Sequence, residues 1–135
     1  MSYPISKIEG IGPAMKEKLL KAGVTKTTHL LEKAGSAKGR GALAKETGLK
    51  EEQILKWTNL ADLMRIKGVG EEFSELLEAA GVDTVKELKT RKPEALTKKM
   101  ADVNAAKSLV RRVPTAAEVA KWVDYAKGLD PAITY

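Results

Sequence analysis

One phrase occurs twice in this sequence. It reads IEGIGPAMKEKLLKAGV over residues 8–24 and IKGVGEEFSELLEAAGV over residues 66–82. Both copies begin with an apolar residue and a Gly-apolar-Gly turn, continue with apolar residues at helical spacing, and end in Gly-Val. This repeat restricts the possible folds more than any other feature, because each copy is expected to form one structural unit that packs against its neighbour.

A second match places the two tryptophans at equivalent points. The segment ILKWTNLA around Trp57 aligns with VAKWVDYA around Trp122. Matched tryptophans at helical spacing are typical of core anchors. The sequence therefore predicts two related units, residues 1–58 and residues 59–135, that form one compact body.

Each unit has the periodicity of helices. Pro13 directly follows Gly12, and the first residue of a helix tolerates the missing N–H of proline. Apolar residues then recur every three or four positions until Gly23, a residue that commonly ends a helix. The second copy repeats the pattern and ends it at Gly81. Since no stretch alternates as a strand does, the predicted fold class is all-α.

The sequence also contains signals for helix starts. Thr25 and Asp83 follow the two Gly-Val pairs and are residue types that favour the N-cap position. Near the C-terminus, Thr115 and Glu118 have the spacing of a capping box and come directly after a proline. Three further helices are predicted to begin at these points.

Charge is distributed unevenly along the chain. The 135 residues include no cysteine, which excludes disulfides, thiolate metal sites and cysteine nucleophiles. The formal net charge of +6 favours a polyanionic partner. Residues 1–57 carry 11 Lys/Arg against 6 Asp/Glu, residues 58–87 carry 3 against 7, and residues 88–135 carry 10 against 5. The acidic segment is the one that holds the second Gly-apolar-Gly turn.

Glycine-rich turns serve three common purposes. A dinucleotide fingerprint needs a preceding strand and a third glycine, where this chain has Met15 or Phe73. A P-loop needs Gly-Lys-Ser/Thr ahead of its helix, and neither copy has it. The remaining possibility is a hairpin between two helices, in which Ile11 or Val69 is buried and the glycines permit a tight bend.

This pattern resembles the helix-hairpin-helix motif. The matching positions in the first unit are Ile8, Gly10, Ile11, Gly12, Lys16 and Leu19, and in the second Ile66, Gly68, Val69, Gly70, Ser74 and Leu77. The continuations AGVTKTTHLL and AGVDTVKEL are similar to those in helix-hairpin-helix domains of helicases and recombinases. Nearly the whole chain, to its ending PAITY, is similar to a bacterial family of paired helix-hairpin-helix proteins known only as a domain of unknown function.

The resemblance implies binding to nucleic acid. In helix-hairpin-helix proteins, backbone N–H groups of the hairpin and of the following helix contact a phosphate, which the positive helix end also favours. Such contacts carry no base code, so binding would be independent of sequence. Lysines follow the first turn, whereas Glu71 and Glu72 follow the second and would repel a phosphate. The candidate binding residues are Gly10, Ile11, Gly12, Ala14, Lys16, Lys18, Lys21, Lys38 and Arg40, with a possible second hairpin at Gly68, Val69 and Gly70.

Alternatives remain open at each of these places. Either turn could be a tight interhelical bend without a ligand. The segment from Lys38 to Gly41 is either a flexible basic loop that holds a second phosphate or a solvated helix entry. The acidic second unit is also compatible with a protein-interaction or scaffold module that docks a basic partner or another copy of the chain.

Little in the sequence indicates catalysis. His29, the only histidine, has neither a serine or cysteine partner pattern nor the spacing of a metal site. The protein is therefore predicted not to be an enzyme and to have no catalytic residue, metal or cofactor. The expected partner is nucleic acid, with duplex DNA favoured over RNA, or a protein; a membrane and a small-molecule substrate are not expected. With neither a signal segment nor an apolar run of about 18 residues, the predicted location is cytoplasmic.

Overall fold

The regular structure of the chain is helical. The computed structural model describes residues 2–135, over which no strand forms and one isolated antiparallel bridge joins Pro4 to Lys26. A single 3₁₀ turn, Ile5–Lys7, precedes the α-helices. These are α1 (Pro13–Lys21), α2 (Thr27–Ala34), α3 (Ala37–Thr47), α4 (Glu51–Leu63), α5 (Glu71–Ala79), α6 (Val85–Leu88), α7 (Pro93–Lys107) and α8 (Ala116–Lys127). The predicted all-α fold class is confirmed.

The two Gly-apolar-Gly turns have the same backbone conformation. The amide of Ile11 donates to the carbonyl of Ile8 at 3.2 Å, and the residues 58 positions later, Val69 and Ile66, pair in the same way at 3.0 Å. The first glycine of each turn has a φ of +93° or +94°, a left-handed conformation that favours glycine. The local sequence therefore produces one turn geometry at both places.

Helices α1 and α5, which follow the turns, also end alike. The amide of Val24 donates to the carbonyl of Leu19, and that of Val82 donates to Leu77, each at 2.9 Å. The glycine before each valine has a φ of +83° or +94°. Together these are the features of a Schellman motif, which satisfies the last carbonyls of a helix.

The buried apolar side chains form two clusters, one in each half of the chain. Trp57 belongs to the first cluster and is 3% exposed, and Trp122 belongs to the second and is 4% exposed. The predicted burial of both tryptophans is confirmed. At the end of α4, Leu63 packs into the second cluster and its neighbour Met64 into the first. Helix α4 thus crosses the predicted unit boundary between residues 58 and 59 and contributes to both cores.

A buried carboxylate also connects elements at the end of α4. Asp62 is 2% exposed and accepts hydrogen bonds from Arg65 Nη1 and from the amide of Val85, each at 2.8 Å. A buried charge is tolerated only when it is paired in this manner. Since Val85 is the first residue of α6, the pairing attaches the start of α6 to the end of α4.

The last residues of the chain return to the first half. The amide of Thr134 donates to the carbonyl of Gly35 at 2.7 Å, and Arg40 Nη2 donates to the carbonyl of Thr134 at 2.6 Å. Ile133, which directly precedes Thr134, is buried. A Cβ atom at Gly35 would lie 2.5 Å from the carbonyl oxygen of Ala132, so only glycine allows this close approach.

Two helix starts differ by one residue from those predicted. The N-caps are Lys26 for α2 and Thr84 for α6, whereas the sequence favoured Thr25 and Asp83. The hydroxyl of Thr84 accepts a hydrogen bond from the amide of Glu87 at 3.2 Å, which is the ordinary N-cap contact. The aspartate therefore lies just outside the helix that its neighbour caps.

The predicted capping box at the start of α8 is confirmed. The hydroxyl of Thr115 accepts from the amide of Glu118, and the Glu118 carboxylate accepts from the amide of Thr115. Arg112 adds two hydrogen bonds to the same carboxylate, at 2.6 and 3.0 Å. These bonds, those of Arg112 first, lower the pKa of Glu118 from 4.5 to about 2.

We expect Glu118→Gln to destabilise the fold in a pH-dependent manner. Because the folded-state pKa lies below the ordinary value, the carboxylate stabilises the fold above about pH 4.5, and this contribution is lost as the pH falls towards 2. Urea denaturation of wild type and variant at several pH values measures the effect. The difference in stability should be largest near neutral pH and shrink in acid; a difference that stays constant down to pH 2 would contradict the assignment.

Candidate nucleic-acid interface

The first turn buries one side chain and exposes the backbone on either side. Ile11 is 8% exposed and packs in the first cluster. A Cβ atom at Gly10 would lie 3.3 Å from Trp57 Nε1, and its φ of +93° also requires glycine. In the second turn, Val69 is fully buried. The predicted burial of the apolar residue in each turn is confirmed.

The second glycine of the first turn is in a different situation. Gly12 is exposed and has a φ of −82°, which any residue adopts, and a Cβ atom there would meet nothing within 4 Å. It is the N-cap of α1, but no side chain caps the helix. Within residues 2–135, the amides of Ala14 and Met15 donate to no acceptor. The start of α1 therefore presents unpaired N–H groups to solvent, and nothing within the fold explains the glycine.

The lysines of α1 do not enter the core, and two of them, Lys18 and Lys21, lie in the last turn of the helix. Lys16 and Lys18 are exposed, and so is Lys21 one turn further along the helix. Lys21 Nζ lies 3.7 Å from a carboxylate oxygen of Glu17, with both side chains at least 70% exposed. An ion pair in water of this length is weak. The three predicted lysines are thus available to a ligand.

Of the two alternatives for residues 38–41, the flexible basic loop is wrong. These residues lie in the first turns of α3, which begins at Ala37 after the N-cap Ser36. Lys38 is exposed, but Arg40 is only 5% exposed. The Arg40 guanidinium donates to the carbonyls of Ala34, Gly35 and Thr134. Arg40 therefore holds the C-terminal residues against the first half and is not available to a phosphate.

The second turn has the same backbone shape but opposite charge after it. A Cβ atom at Gly70 would also meet nothing within 4 Å, so this N-cap glycine is likewise not required by packing. Glu71 and Glu72 occupy the first turn of α5 and are exposed. Glu72 lies 3.9 Å from Arg111, another exposed side chain, so its charge is only weakly compensated.

The acidic helix α5 also influences the first turn. The pKa of Glu75 is raised above 4.5, first by burial and next by the charge of Glu9, which lies in the first turn. Glu78 and Glu71 of the same helix raise it further, whereas Lys56 lowers it. Glu9 and helix α5 therefore lie within electrostatic range of each other, although the sequence separates Glu9 from Glu75 by 66 residues.

One basic residue beside the second turn was not among the candidate binding residues predicted from the sequence. Lys67 is exposed and, together with Lys121 of α8, lines a hollow beside Gly68. The repeat contained a signal for it, because Lys67 occupies the position that Glu9 has in the first turn. The first turn has an acid before its glycines and lysines after them, and the second has the reverse.

Other chemistry has little support in the described part of the chain. Over residues 2–135, no group of three or more histidines and carboxylates is placed to hold a metal ion. The Nδ1 atom of His29 lies 3.0 Å from the hydroxyl of Thr25 and 3.3 Å from its amide, so this histidine binds the start of its own helix. None of the described helices combines the length and apolar character needed to cross a membrane.

Comparison with known proteins finds one family. The model of a domain of unknown function, DUF4332, matches residues 9–129, which include both turns and all eight α-helices. Neither the curated proteins nor the solved structures include a match. Since the matched residues make up most of the chain, the protein belongs to the DUF4332 family.

Proposed function

We propose that the chain is a pair of helix-hairpin-helix units and that it is a non-catalytic module which binds the backbone of nucleic acid without regard to sequence. The first hairpin makes the contact. Its unpaired amides and the positive end of α1 bind a phosphate, and the exposed lysines of the helix add to the attraction. Duplex DNA is the favoured ligand.

The proposal depends most on Gly12. Glycine is needed where the backbone has a positive φ or where another group approaches it closely. The φ of −82° and the open space that a Cβ atom would enter exclude an internal reason. A ligand that approaches the backbone from outside supplies one, and the unpaired amides of Ala14 and Met15 beside it are donors for that ligand.

Charge favours the first hairpin over the second. Lys16 lies near the start of α1, Lys18 is exposed further along the helix, and no acidic residue occupies the first turn, so the charge of α1 attracts a phosphate. Glu71 and Glu72 flank the start of α5, where they interact with the helix dipole and repel a phosphate.

We expect Gly12→Ser to weaken binding to a duplex while leaving the fold as stable as before. Serine is at least as good an N-cap as glycine, and its Cβ atom has room. Its hydroxyl would accept a hydrogen bond from Ala14 or Met15, which are the amides that the phosphate needs. Fluorescence anisotropy with a labelled duplex at low salt measures binding, and thermal unfolding measures stability.

Gly70→Ser is the matched control for this variant. It makes the same change at the equivalent N-cap in the second turn, where a Cβ atom also has room. We expect it to leave both binding and stability unchanged. If both variants weaken binding equally, the second hairpin shares the contact; if neither does, the amides of the first hairpin do not hold the phosphate.

A protein-interaction function is the second candidate, and the acidity of α5 favours it. Glu71 and Glu72 are exposed, and the pKa of Glu75 is raised by burial and then by the charge of Glu9. These carboxylates would dock a basic partner or a basic region of another copy. This function becomes the preferred one if the wild type fails to bind duplex at low salt and if binding to a partner depends on Glu71 and Glu72.

A further inference from the structure

A hollow of about 460 Å³ lies beside the second turn, on the surface of α8. Its lining is Lys67, Gly68, Glu118, Lys121, Trp122 and Tyr125. The last four of these residues lie on one face of α8, since they are spaced three and four positions apart. The hollow is within the range of sizes known for small-ligand sites.

The wall of the hollow contains an indole N–H that solvent reaches and that has no partner among the described residues. Trp122 is 4% exposed, and its Nε1 atom lies 3.2 Å from the position of a Cβ atom at Gly68. Among residues 2–135, no acceptor is bonded to this indole N–H, and the nitrogen itself is not fully buried. An indole nitrogen can only donate, so a ligand in the hollow that satisfies it must present an acceptor.

The other polar groups of the hollow also favour a ligand that presents hydrogen-bond acceptors. Lys67 and Lys121 are exposed cations that donate and cannot accept. The one carboxylate, Glu118, is already bonded to the Arg112 guanidinium through both of its oxygens, at 2.6 and 3.0 Å. The charge of Glu118 is therefore balanced, and the two lysines leave the hollow cationic.

The indole is held in place by its neighbours. The rings of Phe73 and Trp122 lie 5.1 Å apart between centroids, and the guanidinium of Arg112 lies 5.6 Å from the Phe73 centroid. Gly68, with a φ of +94°, has no side chain that would cover the indole nitrogen. The donor is thus positioned before any ligand arrives.

An aromatic ring lies at the rim. Tyr125 is 43% exposed, although large apolar side chains are mostly buried in this protein. An exposed ring beside a cationic hollow is able to stack on a planar base. The first half lacks this combination, because Glu9 stands at the position of Lys67 and the buried Leu60 at that of Tyr125.

From these contacts we infer that the hollow binds the phosphate group of a nucleotide, with Lys67, Lys121 and the Trp122 indole N–H on the phosphate oxygens and the base against Tyr125. The nucleotide can be free or part of a strand. This site shares no residue with the first hairpin, so each of the two proposals can fail without the other.

The two indole N–H signals of the protein provide a direct test. In ¹H–¹⁵N spectra, we expect thymidine 5′-monophosphate to shift the Trp122 signal progressively and to leave the Trp57 signal in place. Thymidine without its phosphate should shift neither. A 5′-phosphorylated hexanucleotide that shifts the signal at lower concentration identifies a strand as the ligand, and one that shifts it no more readily than the mononucleotide identifies the free nucleotide.

The double variant Lys67→Glu with Lys121→Glu is expected to abolish the shift. Both side chains are exposed, so the variant should fold, and an unchanged Trp57 signal verifies this. Lys98→Glu with Lys99→Glu on α7 makes the same charge change away from the hollow and should keep the shift. The inference is overturned if the nucleotide does not move the Trp122 signal, if thymidine moves it equally, or if the double variant responds as wild type does.

Discussion

Val69→Asp is expected to unfold the second half of the protein or to destabilise it by several kcal/mol. Val69 has no exposed surface and packs in the second cluster. A carboxylate there would be a buried charge without a partner, which costs about 3–5 kcal/mol or forces the group to become neutral. Small domains have a total stability of about 5–15 kcal/mol, so the loss would be a large fraction of it. Urea denaturation followed by circular dichroism measures the change.

The adjacent residue provides the control. Gly70→Asp adds the same carboxylate one position later, where a Cβ atom has open space and where aspartate is a favoured N-cap. We expect this variant to be as stable as wild type or slightly more stable. Equal denaturation midpoints for both variants would mean that the side chain of Val69 is not packed as described. Ile11→Asp should act in the same direction as Val69→Asp, with a smaller effect since Ile11 is 8% exposed.

The largest effect on binding is expected from Lys16→Glu combined with Lys18→Glu. If α1 holds a phosphate, this change removes two attractive charges and adds two repulsive ones on the helix whose first turn contains the unpaired amides. Affinity for a duplex should fall by about tenfold or more at every sequence tested, because a hydrogen bond to a charged group contributes about 1.5–3 kcal/mol. The slope of log affinity against log salt should flatten by about 0.9 for each phosphate that the variant no longer neutralises.

The opposite charge change in the second unit is the comparison for this experiment. Glu71→Lys with Glu72→Lys replaces two exposed carboxylates at the start of α5 by cations. We expect binding to stay the same or to become stronger, since two repelling groups are removed beside unpaired amides. If neither double variant alters binding, or if wild type shows no binding at low salt, the nucleic-acid proposal is wrong.

Much of the fold could be predicted because its signals are local. The turn at Gly10 and the helix end at Gly23 depend on backbone conformations that glycine favours, and both recur in the second half. The capping box at Thr115 depends on residues three positions apart. Burial of both tryptophans followed from the repeat, since equivalent positions pack in equivalent ways.

The candidate site was predicted only in part. The exposure of Lys16 and Lys18 follows from their charge, since lysine is rarely buried without a partner. Arg40 was assigned wrongly, because its partners include Thr134, which is 94 residues away. Local charge cannot distinguish an arginine that binds a ligand from one that binds distant carbonyls.

The sequence by itself determined the two Gly-apolar-Gly turns, the helices that follow them and the charge that each helix carries, because all of these depend on neighbouring residues. Only the tertiary structure decided which charges meet. It partly buried Glu75 and brought Glu9 close to it, which together raise the pKa of that carboxyl, and it placed Lys67 with Lys121 beside the Trp122 indole. The physical reason is that electrostatic and hydrogen-bond contacts depend on distances in space, and helix packing sets those distances over many residues of chain.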